Sequence, residues 1–164
     1  MQRVNQFSYI AAERGALRGK MSGSEEFPDI EGLVTVYWLP EGLYLQAEFD
    51  GLPASGVFGF HIHENAAAPL EGGGEAFPQA GAHYTNCGDN GIWCDRHPYQ
   101  AGDLPAVIAD EHGHAAMQVY LGKAQVSDIS GKTVILHGGT DDFMTQPSGD
   151  SGIRMAGGVL AEDL

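Results

Sequence analysis

The sequence predicts an all-β protein, an eight-stranded antiparallel Greek-key β-barrel or sandwich with two long functional loops. Three observations lead there. β-Branched and aromatic residues gather in short runs with strand-like alternation. The 164 residues carry 24 glycines and 8 prolines, heavy punctuation for a helical bundle. No stretch sustains a helical period, and no repeat or heptad appears.

Taken in order, residues 1–15 are the least legible, and Tyr9–Arg14 fits a short helical turn or an edge strand equally. Punctuation becomes regular from Leu17. Leu33–Leu39 is a run of strand formers, and Pro40-Glu41-Gly42 reads as a hairpin turn. The return strand Leu43–Phe49 places Leu43, Leu45, Ala47 and Phe49 on one face. After the break at Gly51-Leu52-Pro53, Val57–His63 is the next strand. From Glu64 to about Pro105 the chain has almost no periodicity, and a stretch of that length inside a compact domain marks a functional loop. Strands resume at Ala106–Ala109, Ala115–Leu121 and Thr133–His137. A second loop, Gly138–Ser151, precedes the last strand, Ile153–Leu160. The length fits one domain spanning 1–164.

Charge narrows the function. With 22 acidic against 8 basic residues the formal net charge is −14, and no Lys/Arg block exists. Nucleic acid and anionic membrane are therefore poor partners. No apolar run approaches the roughly 20 residues of a membrane span. The N-terminal residues lack the pattern of a secretory signal, which predicts a cytoplasmic location. Cys87 and Cys94 are too few for a disulfide framework.

The histidines carry the chemistry. In His61-Ile62-His63 two imidazoles two apart on a strand share a face, with Cα atoms about 7 Å apart. Both can reach one metal ion while Ile62 points into the core. His83, His97 and His137 fall in the long loop or at a strand end bordering the second loop. An acidic protein that places imidazoles there suggests a transition-metal site for copper, zinc, nickel or iron. His112-Gly113-His114 sits among hydrophilic turn residues and reads as a solvated hairpin.

The ordered set resembles the copper/zinc superoxide dismutase family. The carriers are Gly59–Glu64, Gly81-Ala82-His83-Tyr84, His97–Pro105, Thr133–His137 and Gly152–Val159, in the family's order over roughly residues 30–160. The resemblance implies the family's Greek-key barrel, an immunoglobulin-like sandwich. It implies copper held by His61, His63, His83 and His137, with His83 bridging to zinc. His97 and Asp103 match zinc ligands. Asp141 matches the carboxylate that links copper and zinc ligands through hydrogen bonds, and Arg154 the arginine that guides the anionic substrate. His83 and Arg154 are thus the expected catalytic residues.

Two departures stand beside the matches. Gln100 replaces the family's third zinc histidine, and an amide oxygen is a poorer zinc ligand than imidazole, so zinc should be weak or absent. The family's disulfide, between the loop after His63 and the final strand, has no counterpart: Asn65–Gln79 lacks cysteine and Gly157 stands at the strand position. Cys87 and Cys94 could form a local disulfide, remain thiols, or supply a thiolate to zinc. The resemblance implies copper-dependent conversion of superoxide to oxygen and hydrogen peroxide. A copper-binding or copper-handling protein without catalysis fits the same four histidines. The partner expected is the superoxide anion; the oligomeric state is open, a homodimer included.

Overall fold

The computed structural model of the protein describes residues 16–69, 74–86 and 96–162. The expectations for residues 1–15 and for Cys87 and Cys94 lie outside these. Among the described residues the strands are β1 (Ala16–Gly23), β2 (Glu31–Leu39), β3 (Gly42–Asp50), β4 (Val57–Phe58), β5 (Phe60–His63), β6 (Val107–Ile108), β7 (Ala115–Gly122), β8 (Thr133–His137), β9 (Arg154–Val159) and β10 (Ala161–Glu162). Among the described residues helix is confined to one turn, α1 (Val126–Ile129), and a 3-10 turn at Pro78–Ala80. The main sheet is antiparallel, ordered β5-β8-β9-β1-β2-β3-β7 with β10 beside β1, and it curls into a half-barrel. Strands β4 and β6 pair separately. The architecture is the antiparallel, nearly all-β one that the alternation and punctuation predict.

The hairpin β2–β3 turns at Pro40-Glu41 and pairs Val36 with Leu45 and Val34 with Ala47. All four are buried, as are Leu43 and Phe49, so the predicted inner face of β3 faces the core. Each large side chain buried this way contributes about 1.5–3 kcal/mol. β1, marked in the sequence only by punctuation, lies between β2 and β9 and buries Leu17 and Met21.

The predicted strand Val57–His63 is split at Gly59. There the N–H donates to Gly139 O at 2.8 Å and the carbonyl accepts from His137 N at 2.8 Å. A Cβ on Gly59 would stand 2.6 Å from Ser151 Oγ. The glycine lets the second loop lie against the strand, and the ladder breaks to accommodate it.

Strands β5 and β8 are buried on both faces. Phe60, Ile62, Val134 and Leu136 enter the core, and His61 and His63 turn outward beneath the loops. The free edge of β5 is covered by two pieces of the long loop. Tyr84 N donates to Ile62 O (2.8 Å), Ile62 N to Gly102 O (2.8 Å) and Leu104 N to Phe60 O (3.2 Å). His83 is thereby paired against His63, and Asp103 against His61. The loop lacks periodicity because it pairs piecemeal, yet it places its ligating residues like rungs of a sheet.

Candidate metal centre

His61, His63, His83, His97, His137 and Asp141 are all buried, an unusual use of polar side chains that demands partners. His63 Nδ1 donates to Gly81 O at 2.9 Å, and His137 Nδ1 faces Gly152 O at 3.3 Å. Since a carbonyl only accepts, the proton sits on Nδ1 of each ring and Nε2 is a bare lone pair. These two Nε2 atoms face each other at 3.3 Å, a pair of acceptors with no proton to share. His61 Nε2 donates to Asp141 Oδ2 at 2.9 Å, which leaves its Nδ1 bare. That Nδ1 and His83 Nε2 are buried with no hydrogen-bond partner among the described residues. The four ligand atoms lie within 4.8 Å of one another. Four converging imidazole lone pairs suit a soft-to-borderline cation such as copper.

Burial keeps the rings of His61, His63 and His137 neutral and ready to ligate. It is the largest cause of a pKa far below the ordinary range for His61, with the charges of His83, His137, His63 and His97 adding to it. Burial likewise pushes His63 down to about 3 and His137 down to about 4, despite the opposing hydrogen bonds to Gly81 and Gly152.

A second pocket adjoins through His83. Its Nδ1 lies 2.9 Å from Asp103 Oδ1, and His97 Nδ1 lies 3.1 Å from the same oxygen. His97 Nε2 donates to Asp141 Oδ1 at 2.7 Å, so its Nδ1 also turns a lone pair toward the carboxylate. Two electron-rich groups in contact again call for a cation. Gln100 is partly buried beside this pocket, where its N–H donates to Asp103 Oδ2 at 3.0 Å.

Residues 30–160 match the family model described as copper/zinc superoxide dismutase. The chain belongs to this family. It is 31% identical over 140 residues to the Cu-Zn superoxide dismutase of Caulobacter vibrioides, covering 79% of this chain and 77% of the relative. It is 30% identical over 128 residues to superoxide dismutase [Cu-Zn] 2 of Aquifex aeolicus, covering 73% and 72%. Among solved structures, the Cu/Zn superoxide dismutase from Brucella abortus superposes with a TM-score of 0.71 at 26% identity, over 88% of this chain and 99% of that one. A double mutant of a SOD-like protein from Bacillus subtilis superposes with a TM-score of 0.68 at 26% identity, over 88% and 96%. The family uses copper, and the cluster of His61, His63 and His137 is able to bind metal.

The structure brings together His61, His63, His83, His97, Asp103, His137 and Asp141, with Arg154 beside them at Gly81 O. Arg154 opens β9, with Nη1 donating to Phe77 O at 2.7 Å and Nη2 to Gly81 O at 2.8 Å. Gly81 O therefore receives both the guanidinium and His63. Glu75, exposed, comes within 3.6 Å of Arg154 Nε. Lys132 instead ties the fold, donating to Glu64 O at 3.1 Å and lying over the Tyr84 ring. His112 and His114 are exposed and apart from the cluster, in keeping with a solvated hairpin.

Sequence reading missed the second loop's hold on His97. Gln146 Nε2 donates to His97 O at 2.6 Å and Gln146 Oε1 accepts from His97 N at 3.1 Å, while the Phe143 ring stacks on the imidazole. Gly149 passes so close that a Cβ would stand 1.9 Å from Asp141 Oδ1. No motif marks these residues; their roles follow from the path of the loop.

Proposed function

We propose that this protein is a copper-dependent superoxide dismutase whose second pocket holds zinc weakly. The observation that carries it is the convergence of His61 Nδ1, His63 Nε2, His83 Nε2 and His137 Nε2, with Arg154 held by the carbonyl that also holds His63.

Copper held by His61, His63, His83 and His137 would supply the one-electron couple by which two superoxides and two protons give O2 and H2O2. The protein supplies the rest. Asp141 fixes the tautomers of His61 and His97 from one carboxylate, which keeps both rings oriented. His83 reaches both pockets, and its Nε2 is the atom at which a proton is held and passed to the departing peroxide. Arg154 brings positive charge to the mouth of the site. At physiological salt the Debye length is about 8 Å, so this local field outweighs the −14 net charge for an approaching anion. In the second pocket His83, His97 and Asp103 would offer zinc three ligands once His61 of the same cluster is committed to copper, and Gln100 stands beside them in place of an imidazole.

Copper and zinc content measured on reconstituted protein, with superoxide dismutation assayed on the same sample, tests the proposal. About one copper, little zinc and clear activity is the expected result. Copper bound without dismutation would overturn the enzyme in favour of a copper-handling protein, and stoichiometric zinc would overturn the weak second pocket.

A further inference from the structure

We propose that Phe77, seated on Gly157, is a positioning residue for Arg154. It takes by packing the place of the disulfide that in the family joins this loop to the last strand. The inference rests on the reading of Arg154 as the guide for superoxide.

Phe77 is fully buried and forms, with Ala67, Ala80 and Ile135, an apolar cluster of its own outside the main core. Its ring lies where a side chain on Gly157 would be: a Cβ there would meet Phe77 Cε1 at 2.8 Å, Phe77 Cδ1 at 3.0 Å and Ile135 Cδ1 at 2.8 Å. The absence of a side chain at 157 is what makes the socket. Phe77 also has φ 53 and ψ 46, a left-handed backbone that a bulky residue adopts only when its surroundings require it.

That backbone does two things at once. It sends the ring down onto β9 and turns the carbonyl up to the guanidinium, so Phe77 O receives Arg154 Nη1. Within the same turn Ala80 N donates to Phe77 O at 3.0 Å, and the next residue, Gly81, offers the second carbonyl to Arg154 and to His63. Arg154 and Gly157 stand three positions apart on β9. The loop is thus fastened to this strand at two points, one apolar and one charged. Releasing the ring would free the turn that carries both carbonyls. The grip needs no cysteine, so it is insensitive to reductant.

The test begins on the metal-free protein, where NMR reads exchange of the Arg154 guanidinium protons with water. Phe77→Ala should speed that exchange at least tenfold. In the copper-loaded variant, azide affinity at copper should fall several-fold at unchanged copper content. Should Phe77→Ala not fold, Gly157→Ala carries the same test, because its methyl displaces the ring. Adding Phe77→Leu to Gly157→Ala should then restore at least half of the lost protection by making room. Guanidinium protons as protected in Phe77→Ala or Gly157→Ala as in the parent protein would overturn the proposal. A freed guanidinium with an unchanged dismutation rate would leave the packing tether standing and overturn the guiding role of Arg154 instead.

Discussion

His61 and Asp141 are joined by a buried hydrogen bond in which the ring Nε2 donates to Oδ2 at 2.9 Å. The other carboxylate oxygen receives His97 Nε2 at 2.7 Å and the Phe143 N–H at 2.7 Å. One side chain thus decides which nitrogen of each ring is free to meet a metal. The two pockets communicate at His83 by a shared ring and at Asp141 by a shared acceptor.

Asp141→Asn should therefore damage metal binding without touching a ligand atom. Two N–H donors need two acceptors, and an amide offers one acceptor and one donor. The ring facing the amide N–H must move its own proton to Nδ1, which removes a lone pair from one pocket. Loss of such a partner typically costs about 10–100-fold in affinity. Titration of copper and of zinc against a competing chelator should show that loss for at least one metal. Unchanged affinity for both would mean that loop packing alone orients the rings.

Arg154→Ala should lower the rate of dismutation while copper content stays the same. Electrostatic steering is worth about 10–10³ in association rate, and a single guanidinium belongs at the low end, roughly tenfold. The variant should also lose much of its salt dependence, because the charge being screened is gone. Dismutation rates compared at low and high ionic strength, normalised to copper, check both. Equal rates in the parent and the variant would end the guiding role.

Sequence and structure meet most closely where a side chain's own chemistry or a two-residue period carries the information. His61 and His63 share a face because strands alternate, and Ile62 fills the core for the same reason. Leu43, Leu45, Ala47 and Phe49 were legible on the same ground. What stayed hidden depends on backbone carbonyls and on chain path. The acceptors for His63, His137 and Arg154 are main-chain oxygens of Gly81, Gly152 and Phe77, and any residue has one. The break at Gly59 and the Gln146 clamp on His97 arise only once the second loop is laid against the barrel. Family order supplied the grouping of the distant residues His83, His97, Asp103 and Asp141, which no local pattern joins.

Gln100→His should raise zinc uptake. The N–H of Gln100 already bonds Asp103 Oδ2, so the residue stands beside the pocket that holds His83, His97 and Asp103. A third imidazole would complete a tetrahedral set with the carboxylate. Zinc content after reconstitution should rise toward one per chain, with thermal stability rising as bound metal favours the folded state. No gain in zinc would show that the missing ligand is not what weakens the site.

The metal-free protein should lose stability in mild acid. The buried rings of His63 and His137 have pKa values pushed down to about 3 and about 4, and His61 is pushed lower still. In the unfolded chain the same rings titrate near 6.5. Above that pH both states carry neutral imidazoles and no linkage arises. Below it the unfolded chain binds protons that the folded one refuses, so the slope of unfolding free energy with pH is positive. Each ring can contribute up to about 1.4 kcal/mol per pH unit, and the loss continues until the folded rings themselves titrate, near pH 4 for His137. The denaturant midpoint of the metal-free protein should therefore drop steadily from pH 7 to pH 5. Copper should lift the midpoint across the whole window and leave the slope as it is, because metal held by the bare nitrogens adds its binding free energy to the folded state while the unfolded chain still takes up the protons. A metal-free midpoint that stays flat across this window would mean that the rings open to water once the metal is gone, and the preformed four-nitrogen pocket would have to be abandoned.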